Sequence, residues 1–268
     1  MVGFPVKIRA LWQQRNLIWQ LVRREVAGRY KGSFFGIVWA MMQPLLMLAV
    51  YTFVFGMIFE SRWQGATGSK LELAAILFSG LLVFNLFAEC INRSPQLVLE
   101  NANYVKRVVF PLNILPVVMI GSALFQTAMS VIVLSVFLVV TMGTLPWTII
   151  WIPLVLLPLV LLVLGLSWAL SALGVYFRDI QHGIGILVSA LLFLSPIFYP
   201  VSALPPAVQS YIFMNPMAFI IEQVRSVIIW GSMPDWGGLT LYTAVSVVVA
   251  WMGFVSFERG RTGFADVI

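Results

Sequence analysis

The sequence predicts an all-α membrane protein with six transmembrane helices, an N-terminal amphipathic interfacial helix and an outer re-entrant helical segment between spans 5 and 6. Three observations lead to this prediction: 61% of the residues are hydrophobic, only 10% are charged, and the charges are separated by long charge-free runs. Soluble domains have about 25% charged residues, so this chain lacks the polar surface of a soluble globule. A membrane-spanning helix needs about 20 mostly apolar residues, and several segments provide them.

The predicted spans follow these charge-free runs. The run 108–177 is too long for one helix, and residues 142–147 supply the Gly, Pro and interfacial Trp of a tight turn inside it. Span 2 requires Glu72 and Glu89 to lie near the two membrane interfaces. The six spans are expected at about 33–59, 72–92, 109–141, 147–175, 183–199 and 236–257.

Between spans 5 and 6 the chain is apolar but interrupted by proline. Pro196, Pro200, Pro205 and Pro206 prevent one continuous helix, because an internal proline removes a helical hydrogen bond. Residues 207–230 are therefore expected to return as a short helical segment on the outer side.

The distribution of basic residues predicts the topology. Thirteen Lys and Arg residues fall in the segments on one side of the predicted spans, and three fall in the segments on the other side. Loops rich in Lys and Arg stay in the cytoplasm, so both termini are expected to be cytoplasmic. The net charge of +6 is thereby explained by membrane topology, and no nucleic-acid partner is expected.

Residues 1–31 are predicted to form a cytoplasmic amphipathic interface helix, and residues 32–268 the transmembrane domain. Apolar residues recur near a 3.6-residue period through the first segment, with arginines mostly between them. The alternative is a basic anchor that only sets topology. The periodic apolar residues are Ile8, Leu11, Trp12, Ile18, Trp19, Val22 and Val26.

The sequence lacks the residues that most catalytic centres require. It has no GxxxxGK[ST] loop for nucleotide phosphates, and its single histidine and single cysteine are too few for a His/Cys metal site. We therefore predict no enzyme activity, no catalytic or metal-binding residues and no cofactor bound by this chain. Composition alone leaves a channel, a transporter subunit and a structural protein open.

Several motifs, in chain order, resemble those of the polysaccharide-export ABC permeases, the membrane subunits of type-2 ABC exporters for O-antigen, teichoic acid and capsule. The motifs are RREVAGRYKGSFFGIVWAMMQP (23–44), NYVKRVVFP (103–111), YFRDIQH (176–182), LSPIFYP (194–200), Asn215-Pro216 with Glu222 and Arg225, and FADV (264–267). Together they cover nearly the whole chain.

This resemblance implies a homodimer of the chain in the bacterial inner membrane, working with two copies of a separate ABC ATPase that binds ATP and Mg. The implied substrate is a lipid-linked polysaccharide, with O-antigen or a teichoic-type polymer favoured, moving outward from the cytoplasm. The alternatives are a drug- or lipid-exporting permease of the same architecture and a membrane scaffold without a transport role.

Two sets of residues are candidates for contact with such a substrate. Aromatic side chains of span 1 are expected to line a path on which sugar rings stack, or else to pack on neighbouring helices. Basic residues before span 1 are expected to contact a lipid head group, or else only to anchor the chain to lipid. The aromatic set is Phe35, Trp39, Tyr51, Phe55 and Phe59, and the head-group set is Arg24, Arg29, Tyr30 and Lys31.

Two further sets are candidates for coupling and gating. Ser94 is expected to cap, and Pro95 to begin, a short cytoplasmic helix reaching about Asn101, which the resemblance implies to be an ATPase-docking element. Glu222 and Arg225 are expected to pair, either as part of an outer gate or as an ordinary interfacial ion pair. The coupling set is Glu100, Asn103, Tyr104, Lys106, Arg107, Arg178 and Asp179, and the outer-gate set is Pro196, Tyr199, Asn215, Pro216, Glu222 and Arg225.

Overall fold

The computed structural model describes residues 12–54, 70–105, 110–205, 207, 209, 212 and 215–268, and these residues form helices joined by turns. Short 3₁₀ segments precede or extend several of the helices. In chain order, the α-helices are α1 (Arg15–Arg29), α2 (Trp39–Phe53), α3 (Lys70–Arg93), α4 (Leu97–Glu100), α5 (Ala102–Val105), α6 (Leu115–Met142), α7 (Ile152–Tyr176), α8 (Ile180–Leu194), α9 (Pro216–Ile228), α10 (Trp236–Gly260) and α11 (Phe264–Val267).

Five helical stretches of the described residues are long and apolar enough to cross a membrane, and they overlap five of the six predicted spans. The tight turn predicted at 142–147 is confirmed, because α6 ends at Met142 and Gly143 follows in the left-handed conformation with φ of 74°. The five stretches are Gly36–Phe53, Leu71–Glu100, Leu112–Met142, Trp147–Tyr176 and Trp236–Val267.

The predicted fifth span is shorter than expected. It was expected at 183–199, whereas α8 has 15 residues and ends at Leu194. Ser195 is extended, with φ of −87° and ψ of 145°, because a residue before proline is sterically excluded from the helical region and Pro196 follows. The prediction placed the proline inside the span, and the structure places it beyond the helix.

The first span also begins later than predicted. Gly32 and Gly36 adopt positive φ angles of 85° and 52°, which glycine accommodates without steric cost. The chain therefore turns sharply after α1, and the helix starts only at Trp39 after one 3₁₀ turn. The predicted end of this span, and Phe55 and Phe59 with it, lie outside the described residues.

The bundle has two ends that differ in composition. The basic end contains α1, the segment 93–105, the end of α7, the start of α8 and the end of α10, joined by contacts such as Ser171 to Ser94 and Tyr176 to Gly260. The distal end contains α9 and the starts of α7 and α10, joined by contacts such as Thr148 to Val227.

The α1 helix packs its apolar side on α6, as expected for an amphipathic helix. Leu21 and Val26 are buried, whereas Trp19 is 64% exposed. The contact is close at Gly121 of α6, where an added Cβ would lie 2.7 Å from a methyl group of Val22. The glycine therefore allows α1 to lie directly against the bundle.

The most closely packed helix pair is α7 with α10. A Cβ added to Gly253 would lie 1.9 Å from the carbonyl oxygen of Gly165, and a Cβ on Gly165 would lie 2.6 Å from the backbone of Ala250. Small residues at a membrane helix interface allow backbones to approach in this way. Of this pair, α7 also packs on α3, whose residues 72–84 are all buried.

Candidate functional site

A network of four charged side chains joins α1 to α3 at the basic end. Arg93 lies 2.9 Å from Glu25 and 3.8 Å from Glu89, and Glu89 lies 2.5 Å from Arg29. Ser122 of α6 completes the network, since its Oγ accepts a hydrogen bond from Arg29 and donates one to Glu25, each at 3.0 Å. Three helices that are distant in sequence are therefore connected through polar side chains.

The network is balanced in charge and partly open to water. Two arginines face two glutamates, and the four side chains are between 24% and 35% exposed. Burial lowers the pKa of Arg29, but the hydrogen bond and charge of Glu89 outweigh it, so the pKa is raised above its ordinary value. Arg29 therefore stays charged, and an anion would have to displace a glutamate to bind to it.

The segment after α1 is attached to α6 through one glutamine. The Tyr30 hydroxyl donates a hydrogen bond of 2.7 Å to Oε1 of Gln126, and Nε2 of Gln126 donates one of 3.1 Å to the carbonyl of Ala40. Burial raises the pKa of Tyr30, with Arg29 opposing that shift, so the phenol remains a donor. Both ends of the Gln126 amide are used to hold the start of α2 in place.

The four head-group candidates are divided between different contacts. Arg29 belongs to the charged network, Tyr30 bonds Gln126, and Arg24 donates a 2.6 Å hydrogen bond to Tyr104. Lys31 is exposed. A role in head-group binding stays a prediction for all four.

The aromatic candidates of span 1 do not form one cluster among the described residues. Phe35 and Trp39 pack edge to face with centroids 5.9 Å apart. Tyr51 follows Trp39 by 12 positions, which corresponds to about 18 Å along a helix. It lines a cavity beside Gln43. Their role as a sugar path stays a prediction.

The segment 94–105 forms two short helices that are firmly anchored to the bundle. The predicted cap at Ser94 is wrong: its Oγ donates a 2.6 Å hydrogen bond back to the carbonyl of Cys90, because α3 runs on into this segment without a break. The Ser94 carbonyl accepts a bond from Ser171 of α7, and a Cβ on Gly174 would lie 2.0 Å from the carbonyl oxygen of Pro95. The first turn of the predicted coupling helix is thus buried, as Pro95 is.

The later part of this segment presents its polar residues to solvent. Glu100 and Asn103 are exposed. Tyr104 stacks on Phe110 with centroids 4.2 Å apart and carries the guanidinium of Arg24 at 6.0 Å from its ring. Two further coupling candidates, Lys106 and Arg107, lie outside the described residues.

The loop between α7 and α8 lies beside this segment. Gln96 donates a hydrogen bond to Gln181, whereas Arg178 and Asp179 are exposed. Within the part of the chain that the structure describes, none of the ion pairs involves these residues.

The distal end is organised around one buried guanidinium. Arg225 is fully buried and donates to the carbonyls of Pro196 at 2.7 Å, Ile197 at 3.0 Å and Ile76 at 3.3 Å. It also pairs with Glu222 at 2.7 Å. The predicted pair is present, but an ordinary exposed interfacial pair is the wrong description, because the arginine joins α9 to α3 and to the turn after α8.

Asn215 holds the same turn from the other side. Its Oδ1 caps α9 by accepting from the backbone N–H of Met217 at 2.9 Å, and its Nδ2 donates to the Leu194 carbonyl and to Ser195 Oγ. Pro216 occupies the first helical turn, and its carbonyl accepts from Tyr242. Of the remaining gate candidates, Tyr199 donates to the Phe193 carbonyl at 3.2 Å.

The sequence analysis missed Glu25, Ser122 and Gln126. One signal was available for each: Glu25 and Arg29 are four apart on a predicted helix, and Ser122 and Gln126 are four apart in a long charge-free run. Glu89 lies 3.8 Å from Arg93, one turn further along α3, but its shorter contact is with Arg29.

These features define a class of protein: a helical membrane protein with an amphipathic helix packed on its bundle, an anchored segment 94–105 at its basic end and a buried arginine at the other end. The sequence pattern of the ABC-2 type transporter family matches residues 16–229. The chain belongs to that family.

Several relatives match along almost the whole chain. An O-antigen export system permease protein RfbA of Myxococcus xanthus is 29% identical, over 97% of this chain and 98% of its own length. A protein of the same name from Klebsiella pneumoniae is 25% identical over 94% and 95% of the two chains. The polysialic acid transport protein KpsM of Escherichia coli is 26% identical over 91% and 93%.

Proposed function

We propose that this chain is the membrane-spanning permease subunit of an ATP-driven exporter that moves a lipid-linked polysaccharide out of the cytoplasm. The observation that carries the proposal is the end-to-end similarity to a relative named as an O-antigen export permease, with 97% of this chain and 98% of the relative aligned. The membrane-spanning helices supply the transport domain that such a role requires.

The energy for export is supplied by a separate ABC ATPase that binds ATP and Mg, in two copies on a homodimer of this chain. The proposal rests on the family, since ABC-2 permeases work with such an ATPase. The exposed apolar sides of α2 and α8 support the homodimer. Phe53 of α2 and Phe193 of α8 are 57% and 69% exposed, and a second copy would cover part of these faces.

The ATPase docks on the segment 94–105 and on the neighbouring loop with Arg178 and Asp179. The physical support is that the outer part of this segment is polar and exposed, while its first turn is locked against Gly174. A force applied to Glu100 or Asn103 is therefore transmitted directly to α3 and α7, because no flexible linker separates these residues from the two helices.

The basic end faces the cytoplasm in this proposal, so both termini are cytoplasmic and the membrane is the bacterial inner membrane. Of the described Lys and Arg residues, Arg15, Arg23, Arg24, Arg29, Lys31, Arg93, Arg178, Arg259 and Arg261 belong to segments of the basic end. Basic segments are retained on the cytoplasmic side, which supports this orientation. Arg225 then holds the outer-gate segment at the opposite membrane face.

The test is reconstitution with candidate ATPases. The chain is co-expressed with each ATPase encoded beside it, and surface polysaccharide is measured in a strain that lacks its own permease. We expect surface polymer only when both subunits are present and the ATPase is intact. Stable complex formation with ATPase turnover stimulated by drugs or simple lipids, but not by glycans, would instead favour a small-amphiphile exporter. A chain that associates with no ATPase would favour the scaffold.

A further inference from the structure

A membrane-depth chamber between α2, α3 and α6 has not been used in the function described so far. Its volume is about 340 Å³, within the range of about 300–1,000 Å³ that is usual for small-molecule sites. Its wall is rich in uncharged polar side chains, although all three helices are otherwise apolar. Those polar side chains include Gln43 from α2, Asn85 and Asn92 from α3, and Gln126 and Ser130 from α6.

The polar wall is clearest on α3, the most buried of the predicted spans. Residues 72–84 are all buried, and the first exposed residue after them is Asn85. Asn92 follows seven residues later and is exposed as well. Two helical turns separate them, so both amides lie on one face of the helix, with Glu89 between them. That face is turned toward the chamber.

Three of the chamber amides have free hydrogen-bonding capacity. The side chains of Gln43, Asn85 and Asn92 make no hydrogen bond to the part of the chain that the structure describes. Unpaired polar groups at membrane depth are costly unless water or a ligand satisfies them. Each primary amide offers two donors and one acceptor without a charge, which matches a hydroxyl group that both donates and accepts.

The other polar groups of the chamber are already committed. Gln126 uses its amide to hold Tyr30 and the Ala40 carbonyl, so it fixes the wall. Glu89, the carboxylate of the lining, is neutralised by Arg29 at 2.5 Å. With its charge balanced in this way, the chamber has no excess positive charge to attract a phosphate.

The chamber is continuous with the charged network. A second cavity of about 600 Å³ is lined by Glu25, Arg29 and Arg93, and it shares Gln43 and Glu89 with the chamber. A polar ligand that arrives from the basic end therefore meets a water-accessible vestibule first and the amides next.

We propose that this chamber binds a neutral, hydroxyl-bearing sugar residue of the transported glycan through the amides of Gln43, Asn85 and Asn92. The inference rests on the proposed export function and adds a sugar subsite inside one protomer. The chamber holds a sugar residue near its mouth, and a phosphate group would bind elsewhere.

The first experiment measures ligand response in the complex of this chain with its ATPase in lipid nanodiscs. The probe is lipid-linked glycan extracted from cells that lack the permease. In Asn85→Leu/Asn92→Leu, which keeps side-chain volume and removes the amides, we expect the half-stimulating glycan concentration to rise about tenfold or more, as the loss of two ligand hydrogen bonds implies. The matched control is Asn16→Leu on the exposed face of α1, with no expected change.

The second experiment uses the cysteine content of the chain and does not depend on turnover. The single native cysteine, Cys90, is fully buried, so a membrane-impermeant thiol reagent should label only Asn85→Cys. We expect the glycan probe to protect that thiol, free sugar to protect it partly at high concentration, and inorganic pyrophosphate to have no effect.

The outcomes separate the chamber from the proposed function. A glycan response in the wild-type complex that is unchanged in Asn85→Leu/Asn92→Leu would refute the sugar subsite and leave export intact. Protection of Asn85→Cys by pyrophosphate alone would also refute it, because the site would then bind phosphate. A wild-type complex that ignores every glycan would overturn the export function itself.

Discussion

The two ends of the bundle both depend on arginine, but they use it in different surroundings. At the basic end Arg29 and Arg93 share water-accessible contacts with two glutamates on different helices. At the distal end Arg225 is fully buried and its guanidinium binds three backbone carbonyls besides Glu222. Exposed ion pairs contribute about 0–1 kcal/mol, whereas breaking a buried one costs about 3–5 kcal/mol.

This difference indicates which end is built to move. The arginines of the basic-end network can exchange their glutamate partners at little cost in free energy, because solvent screens each charge during a rearrangement. The distal arginine cannot leave its carbonyls without exposing them unpaired in an apolar region. We therefore expect α1 and the start of α2 to change position during transport more readily than α9 and the turn after α8.

The largest expected effect is at the distal end. Arg225→Met should lower the free energy of unfolding by about 3–5 kcal/mol, because the carbonyls of Pro196, Ile197 and Ile76 lose their donor. Denaturant unfolding of the purified protein in mild detergent measures the change. Arg259→Met, at an exposed arginine, is the matched control and should shift stability by less than about 0.5 kcal/mol. Equal free energies of unfolding for the two variants would contradict the proposed difference between the two ends of the bundle.

The second effect tests the rigid part of the basic end. Gly174→Ala places a methyl group 2.0 Å from the Pro95 carbonyl oxygen, so α7 and the segment 94–105 must separate, at a cost of about 1–3 kcal/mol. We also expect ATP hydrolysis to lose its coupling to export, measured as polymer exported per ATP.

Gly28→Ala is the control for that substitution. Gly28 is in α1 with no heavy atom near its added Cβ, and alanine in a helix should be neutral or stabilising by up to about 1 kcal/mol. Normal coupling in a folded Gly174→Ala complex would contradict transmission through this contact.

The third effect addresses the exchangeable network. Glu25→Arg and Arg93→Glu should each cost up to about 1 kcal/mol, and the double exchange should recover only part of that loss, because the 2.9 Å pair is restored with reversed charge while Glu89 and Arg29 then face like charges. The unfolding free energies of the four proteins give the coupling energy. It should shrink in 1 M salt, as solvent-accessible charges are screened there. A coupling that is insensitive to salt would mean that the network is as fixed as Arg225.

The smallest effect is at Tyr104. Tyr104→Phe removes the oxygen that accepts from Arg24 but keeps the ring stacked on Phe110 at 4.2 Å, so stability should fall by about 0.5–1.5 kcal/mol at most. Tyr104→Ala also removes the stacking and should impair coupling between ATP hydrolysis and export. Comparing the two variants in the export assay separates the contribution of the hydrogen bond from that of the ring packing. If both variants lose the same amount of coupling, the hydroxyl group is responsible for it.

Much of the fold was predictable because the relevant signals are local. The charge-free runs located the spans, and Gly143 and Asn215 end or begin helices through their own backbone and side-chain chemistry. The error at α8 had a local cause too, since Pro196 was read as part of a span although it dictates the conformation of Ser195. The cap at Ser94 failed because nothing near it in sequence shows that α3 continues past Arg93.

The site was predicted only in part, because its contacts cross between helices. The pairing of Glu222 with Arg225 is local and was found, whereas the three carbonyls that Arg225 binds come from other segments. The same holds for Arg29, whose partners Glu89 and Ser122 are 60 and 93 residues away.

By itself, the sequence determined that this chain spans a membrane, where its helices run and which end carries the positive charge. Hydropathy and charge act residue by residue, so they can be summed along the chain without knowledge of the packing. Only the tertiary structure decided that Arg225 is buried, that Glu25 and Arg93 meet, and that unpaired amides enclose a chamber. Those properties depend on which sides of the helices pack against each other. Close packing around glycines such as Gly165 and Gly174 determines that arrangement.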